Sequence, residues 1–103
     1  MMDEVKVLGV KNGELTIALS GDIDLGNAEA FYEAVMTAYQ ATPADVTFDC
    51  NELNFIDSTT LGTFVKIFKV VQADGRKMKL CALQQKIKKL FLICSLDSIM
   101  EIA

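Results

Sequence analysis

Val46-Thr47-Phe48-Asp49-Cys50-Asn51-Glu52-Leu53-Asn54-Phe55-Ile56-Asp57-Ser58-Thr59-Thr60-Leu61-Gly62 changes its hydrophobic period part-way along. Val46, Phe48 and Cys50 alternate with Thr47 and Asp49, the two-residue period of a strand with one buried face. Leu53 to Ile56 carries apolar chain into the polar run Asp57-Ser58-Thr59-Thr60. Beyond it, Leu61, Phe64, Val65, Phe68 and Val71 recur at three- and four-residue steps, which makes a helical stripe. Gly75 marks the C-terminal stop of that helix. A strand therefore feeds a helix through a junction of carboxylate and hydroxyl groups.

The same pattern extends upstream. Val5 to Val10 is short and apolar-rich, and Lys11-Asn12-Gly13 follows it. Asn-Gly is a tight-turn signal because both residues tolerate positive φ. Leu15, Ile17 and Leu19 then alternate with Thr16, Ala18 and Ser20, so the chain opens with a hairpin. Gly21-Asp22-Ile23-Asp24 ends its second strand, and Asp24 is placed to cap the next helix. That helix shows Ala28, Phe31, Val35, Ala38 and Tyr39 on one face, a core-facing stripe. Pro43 punctuates the loop after it.

Downstream, Met78 to Leu83 reads as a further strand. Ile87, Leu90, Phe91 and Cys94 form the inner face of a third helix, with Leu92 off that face. Ile99 to Ile102 is a closing strand or tail. Strands alternating with helices after an opening hairpin predict an α/β sandwich on a mixed sheet. Chemistry in such folds gathers where strands end and helices begin. Two of these junctions are polar here, Asp22/Asp24 and Asp57/Ser58/Thr59.

The 103 residues fit one domain, 1–103, and a hydrophobic fraction of 51% suffices for one core. No run approaches the roughly 18 apolar residues of a membrane span. The acidic start Met1-Met2-Asp3-Glu4 lacks the basic-then-apolar pattern of a secretory signal. A cytoplasmic protein without a membrane partner is the expectation. Cys50, Cys81 and Cys94 are odd in number and form no Cys-x-x-Cys pair, so buried free thiols are expected.

Histidine is absent. Catalytic units built on imidazole cannot be assembled from this chain, and common zinc sites are excluded with them. No phosphate-binding glycine loop of the Walker or dinucleotide type occurs either. No enzyme activity, cofactor or metal is expected. Charge divides sharply, since residues 1–57 carry two bases against eleven acids, and residues 58–103 carry eight bases against three. Arg76, Lys77, Lys79, Lys86, Lys88 and Lys89 gather late in the chain. No aromatic residues are interleaved with them as a nucleic-acid site would need, and the net charge of −4 opposes a polyanion. The basic cluster is expected to be a solvated edge.

Phe55-Ile56-Asp57-Ser58-Thr59-Thr60-Leu61-Gly62 resembles the signature of bacterial anti-sigma-factor antagonists, which are STAS domains. Gly21-Asp22-Ile23-Asp24 is similar to the family's Gly-acid-aliphatic-Asp element. Ile87-Lys88-Lys89-Leu90-Phe91 is similar to its third-helix pattern. The resemblance implies a STAS-like sandwich, with a mixed sheet of four to five strands, helices packed on it and an opening hairpin. It also implies a partner switch. The unphosphorylated antagonist binds an anti-sigma factor that is a serine kinase, and so releases a sigma factor. Phosphorylation on Ser58 ends the complex, and a serine phosphatase resets it. Thr59 is the alternative acceptor.

The partner surface so implied comprises Asp22, Asp24, Asp57, Ser58, Thr59, Thr60 and Gly62, on a chain that is a monomer when free. Two positions depart from the family. Its glycine after the hydroxyl pair is Thr60 here, and threonine restricts the backbone more. A glycine common before the last apolar segment is Ser95. From local sequence alone, Ser58 reads as a helix N-cap, a role compatible with modification. The other implied role is a STAS scaffold subunit of a stress-sensing or transporter-associated complex.

Overall fold

The computed structural model describes residues 2–103. β1 (Val5–Lys11) and β2 (Glu14–Ile23) form the opening hairpin, paired antiparallel from Lys11↔Glu14 to Val5↔Leu19. The turn is Asn12-Gly13, with φ of 56° and 79°. Both values lie in the left-handed region that a two-residue hairpin turn of this hand demands. α1 (Ala28–Ala41), β3 (Asp45–Ile56), α2 (Ser58–Ala73), β4 (Met78–Cys81), α3 (Gln85–Ile93) and β5 (Glu101–Ile102) follow. The sheet runs in the order β1-β2-β3-β4-β5, and every pair after the hairpin is parallel. Parallel neighbours need a crossover, which α1 supplies between β2 and β3 and α2 between β3 and β4.

Leu15, Ile17 and Leu19 of β2, with Val46, Phe48 and Cys50 of β3, are buried on one face. All three helices pack there. Phe31 of α1 lies 6.2 Å from Phe48, ring centre to ring centre, and 5.1 Å from Phe64 of α2. Phe64 also meets Phe48 at 5.5 Å and Phe91 of α3 at 5.4 Å. These tilted, edge-on contacts are the arrangements aromatic rings favour. Phe31 and Phe64 thus pack directly on the central strand, and Phe91 joins the cluster through Phe64.

Several expectations need correction. Leu90 and Cys94 are exposed, and only Ile87 and Phe91 form the inner face of α3. The helix has nine residues and ends before Cys94, so its buried stripe is one turn long. Of the three thiols, Cys50 is buried, Cys81 half-buried and Cys94 exposed, all of them free. The strand expected to reach Leu83 stops at Cys81, because its parallel pairing to β3 ends at Asp49↔Cys81. The late basic cluster is split by the fold, with Arg76 and Lys77 before β4 and Lys86, Lys88 and Lys89 on α3.

Candidate partner-docking and phosphoacceptor site

β2 and β3 pair in parallel to Ile23↔Ile56, so both chains leave the sheet at the same end. This register puts the Asp22/Asp24 loop beside the Asp57-Ser58 junction. Asp57 joins the two. It is the N-cap of α2, in extended conformation, and its Oδ1 accepts from the Thr60 backbone N–H at 3.0 Å. Its Oδ2 accepts from the Leu25 backbone N–H at 2.9 Å. A carboxylate that satisfies two backbone donors on different segments holds both in place. The same bonds, that from Thr60 foremost, hold the Asp57 carboxyl below the ordinary aspartate value.

Ser58 is the first residue of α2, not its cap, and it is exposed. The cap role falls to Asp57 because its longer acceptor arm reaches both Thr60 and Leu25. Thr59 is exposed and lines a groove of about 410 Å³ between α1 and α2, together with Leu25, Tyr32 and Lys66. Lys66 Nζ stands 4.1 Å above the Tyr32 ring across it, a cation–π contact.

Thr60 is fully buried. Its Oγ1 donates to the Ile23 carbonyl at 2.6 Å and lies 3.1 Å from Asp57 Oδ1. A glycine could make neither contact. The restriction expected from threonine is absent, since Thr60 sits in a regular helical turn and is not among the positive-φ residues. Of three consecutive hydroxyl residues, only Ser58 and Thr59 face solvent.

Gly62 lies one turn beyond Ser58, exposed, and a methyl group built there would touch nothing within 4 Å. Residues four apart share a helix face, so bare backbone adjoins the Ser58 hydroxyl.

The β2–α1 loop is stapled by side chains. Asn27 Oδ1 accepts from the Asp24 N–H at 2.8 Å, and its amide donates to the Asp22 carbonyl at 3.0 Å. Asp24 does not cap α1. Its Oδ1 accepts from Gly26 N–H at 2.9 Å, a turn two residues long, while its carbonyl accepts from Ala28 N–H at 2.8 Å. Asn27 flanks the helix instead. Asn54 Nδ2 donates to Asp22 Oδ1 at 3.2 Å across the strands. Asn27 was legible as a cap-type residue just before the apolar stripe. Leu25 and Asn54 carried no such signal, because what recruits them is the β2–β3 register.

Residues 6–103 match the STAS domain. The chain belongs to the STAS domain family. Among its STAS relatives is the anti-sigma-B factor antagonist of Bacillus subtilis, 30% identical over 90 residues that span 87% of this chain and 82% of the relative. The fold superposes on an anti-sigma factor antagonist from Mycobacterium paratuberculosis with a TM-score of 0.82, at 18% identity over 97% of this chain and 86% of that one. It superposes on the unphosphorylated anti-sigma factor antagonist SpoIIAA at 0.75, with 18% identity over 96% and 86%. Within the STAS family the chain thus falls with the anti-sigma factor antagonists, which are regulators. Among the described residues no helix is long and apolar enough to cross a membrane.

Proposed function

We propose that this STAS domain is an anti-sigma-factor antagonist that works as a cytoplasmic partner switch, without turnover of its own. Its face at the β2 and β3 ends, formed by Asp22, Asp24, Asp57, Ser58, Thr59 and Gly62 and held from beneath by the buried Thr60, docks an anti-sigma factor. That factor is also a serine kinase, and docking frees the sigma factor it held. The kinase moves the γ-phosphoryl group of ATP to the Ser58 hydroxyl oxygen, with loss of the hydroxyl proton and departure of ADP. A serine phosphatase hydrolyses the ester and resets the switch.

The observation that carries this reading is the placement of Ser58. It is an exposed hydroxyl on the first residue of a helix, directly beside a carboxylate pinned by two backbone donors. The first N–H groups of a helix have no intrahelical partner, and the helix dipole is positive there. A phosphate on Ser58 therefore meets donors that α2 already offers. The added charge, about −1.5 to −2 near neutral pH, falls beside Asp57 and the Asp22/Asp24 loop. At a docked interface it acts by repulsion, bulk and desolvation, while the domain keeps its fold.

The test is to incubate the chain with a candidate serine-kinase anti-sigma factor and ATP, then map phosphate by mass spectrometry. Phosphate on Ser58, absent from Ser58→Ala, supports the reading. Phosphate on Thr59 alone moves the switch by one residue. The absence of both binding and transfer with every host kinase of this class removes it.

A further inference from the structure

Between the end of β3 and α3 lies an apolar hollow of about 190 Å³, lined by Phe55, Ile56, Ile87 and Leu90, with Asn54 and Lys86 at its rim. Phe55 is 45% exposed and Leu90 38%, so the hollow leaves large apolar side chains in water. Lys86 and Lys89 stand exposed along the same helix. On the neighbouring β2–α1 loop, Leu25 is 75% exposed and flanked by Asp22, Asp24 and Glu29. One feature is an apolar knob that acids flank in the chain, the other an apolar hollow whose one charged lining residue is Lys86. They adjoin each other, because Asn54 lines the hollow and its amide holds Asp22.

We propose that these two features are the halves of a self-association surface. Leu25 of one copy enters the Phe55/Leu90 hollow of a second, while Lys86 of the second meets Asp22 and Asp24 of the first. Because knob and hollow lie at one end of the sheet, two copies exchange the contact about a two-fold axis, which closes the assembly at a dimer. Charge favours a second copy as the occupant, since Asp22 and Asp24 beside the knob are opposite in sign to Lys86 at the hollow and steer the pair together. The patch is small beside the 1,200 Å² or so of buried surface typical of stable complexes. The dimer is accordingly weak, and the free monomer expected from the sequence is its dilute form. The dimer does not rest on the partner-switch reading. Its consequence does, since Leu25 is bonded to Asp57 beside Ser58 and self-association competes for the same face.

Sedimentation equilibrium over rising protein concentration, with amide shift mapping on the same samples, tests the proposal. Association is expected, weakened by salt, with shifts centred on Leu25, Phe55, Lys86 and Leu90. Leu25→Ala and Leu90→Glu should each weaken it about tenfold or more while keeping native amide dispersion, both side chains being exposed. An equimolar mixture of the two variants should associate more tightly than either alone, because one intact Leu25 then meets one intact hollow. A chain that stays monomeric at every concentration overturns the proposal. So does association that both variants leave unchanged, as pairing through the β1 edge would, and so does a mixture no tighter than its components.

Discussion

At Thr60 and Gly62 the structure assigns opposite duties to neighbouring positions of one helix. The buried Thr60 hydroxyl ties α2 to the last carbonyl of β2 at 2.6 Å. Thr60→Val keeps the volume and removes the donor, leaving the buried Ile23 carbonyl unsatisfied. A loss of about 1–3 kcal/mol in denaturant unfolding is expected, whereas a Thr60→Val protein as stable as wild type would deny the tie. Gly62 has no steric duty in the free chain. Gly62→Ala should therefore stabilise the domain by about 0.5–1 kcal/mol, yet weaken docking of the anti-sigma factor. Calorimetry of unfolding and of binding, run on one preparation, separates the two effects. Asp57 supplies the pH dependence. Its carboxyl is held below the ordinary aspartate value of 3.8, so the tie is complete above that value and is lost only as pH falls through the lower folded midpoint. A carboxyl-carbon NMR titration should place Asp57 below 3.8, and a midpoint at or above it would contradict the bonds to Leu25 and Thr60.

Ser95 follows α3 with φ of 57° and ψ of 28°, the left-handed conformation that glycine adopts without cost. Sequence comparison with the family pattern had already marked this position as a replaced glycine. Ser95→Gly should raise stability by about 1 kcal/mol, the low end of the left-handed penalty, seen as a higher unfolding midpoint. No change would show that other contacts of Ser95 offset the strain. Periodicity made most of the elements legible, since β2 and each long helix bury a regular stripe, whereas β1 buries only Val5. It failed at α3, where Leu90 and Cys94 share the spacing of Ile87 and Phe91 but extend past the area the sheet can cover. It also failed at the caps. Asp24 and Ser58 are good cap residues in isolation, but α1 has no side-chain cap, Asn27 standing before it bonded back to Asp22 and Asp24, and α2 is capped by Asp57, whose second bond to Leu25 follows from the β2–β3 register.

For the molecule as a whole, one phenylalanine cluster under a single sheet face leaves both polar junctions at one end, as strands β2 and β3 run parallel. The site residues named from sequence at those junctions do come together there, through Asp57 bonded to Leu25 and Asn54 bonded to Asp22. Their shared position was implied only by the family resemblance, because pairing between residues some thirty apart leaves no local trace in the sequence. On the proposed function, a phosphate on Ser58 would change an interface without touching the core. The most direct measurement is titration calorimetry of the kinase anti-sigma factor against the unphosphorylated chain and against the same chain phosphorylated on Ser58, with amide NMR spectra of both. Phosphorylation is expected to weaken the affinity at least about 100-fold, some 2.8 kcal/mol, with native dispersion in both spectra. Equal affinity in the two forms, or a loss accompanied by collapse of the dispersion, would contradict it.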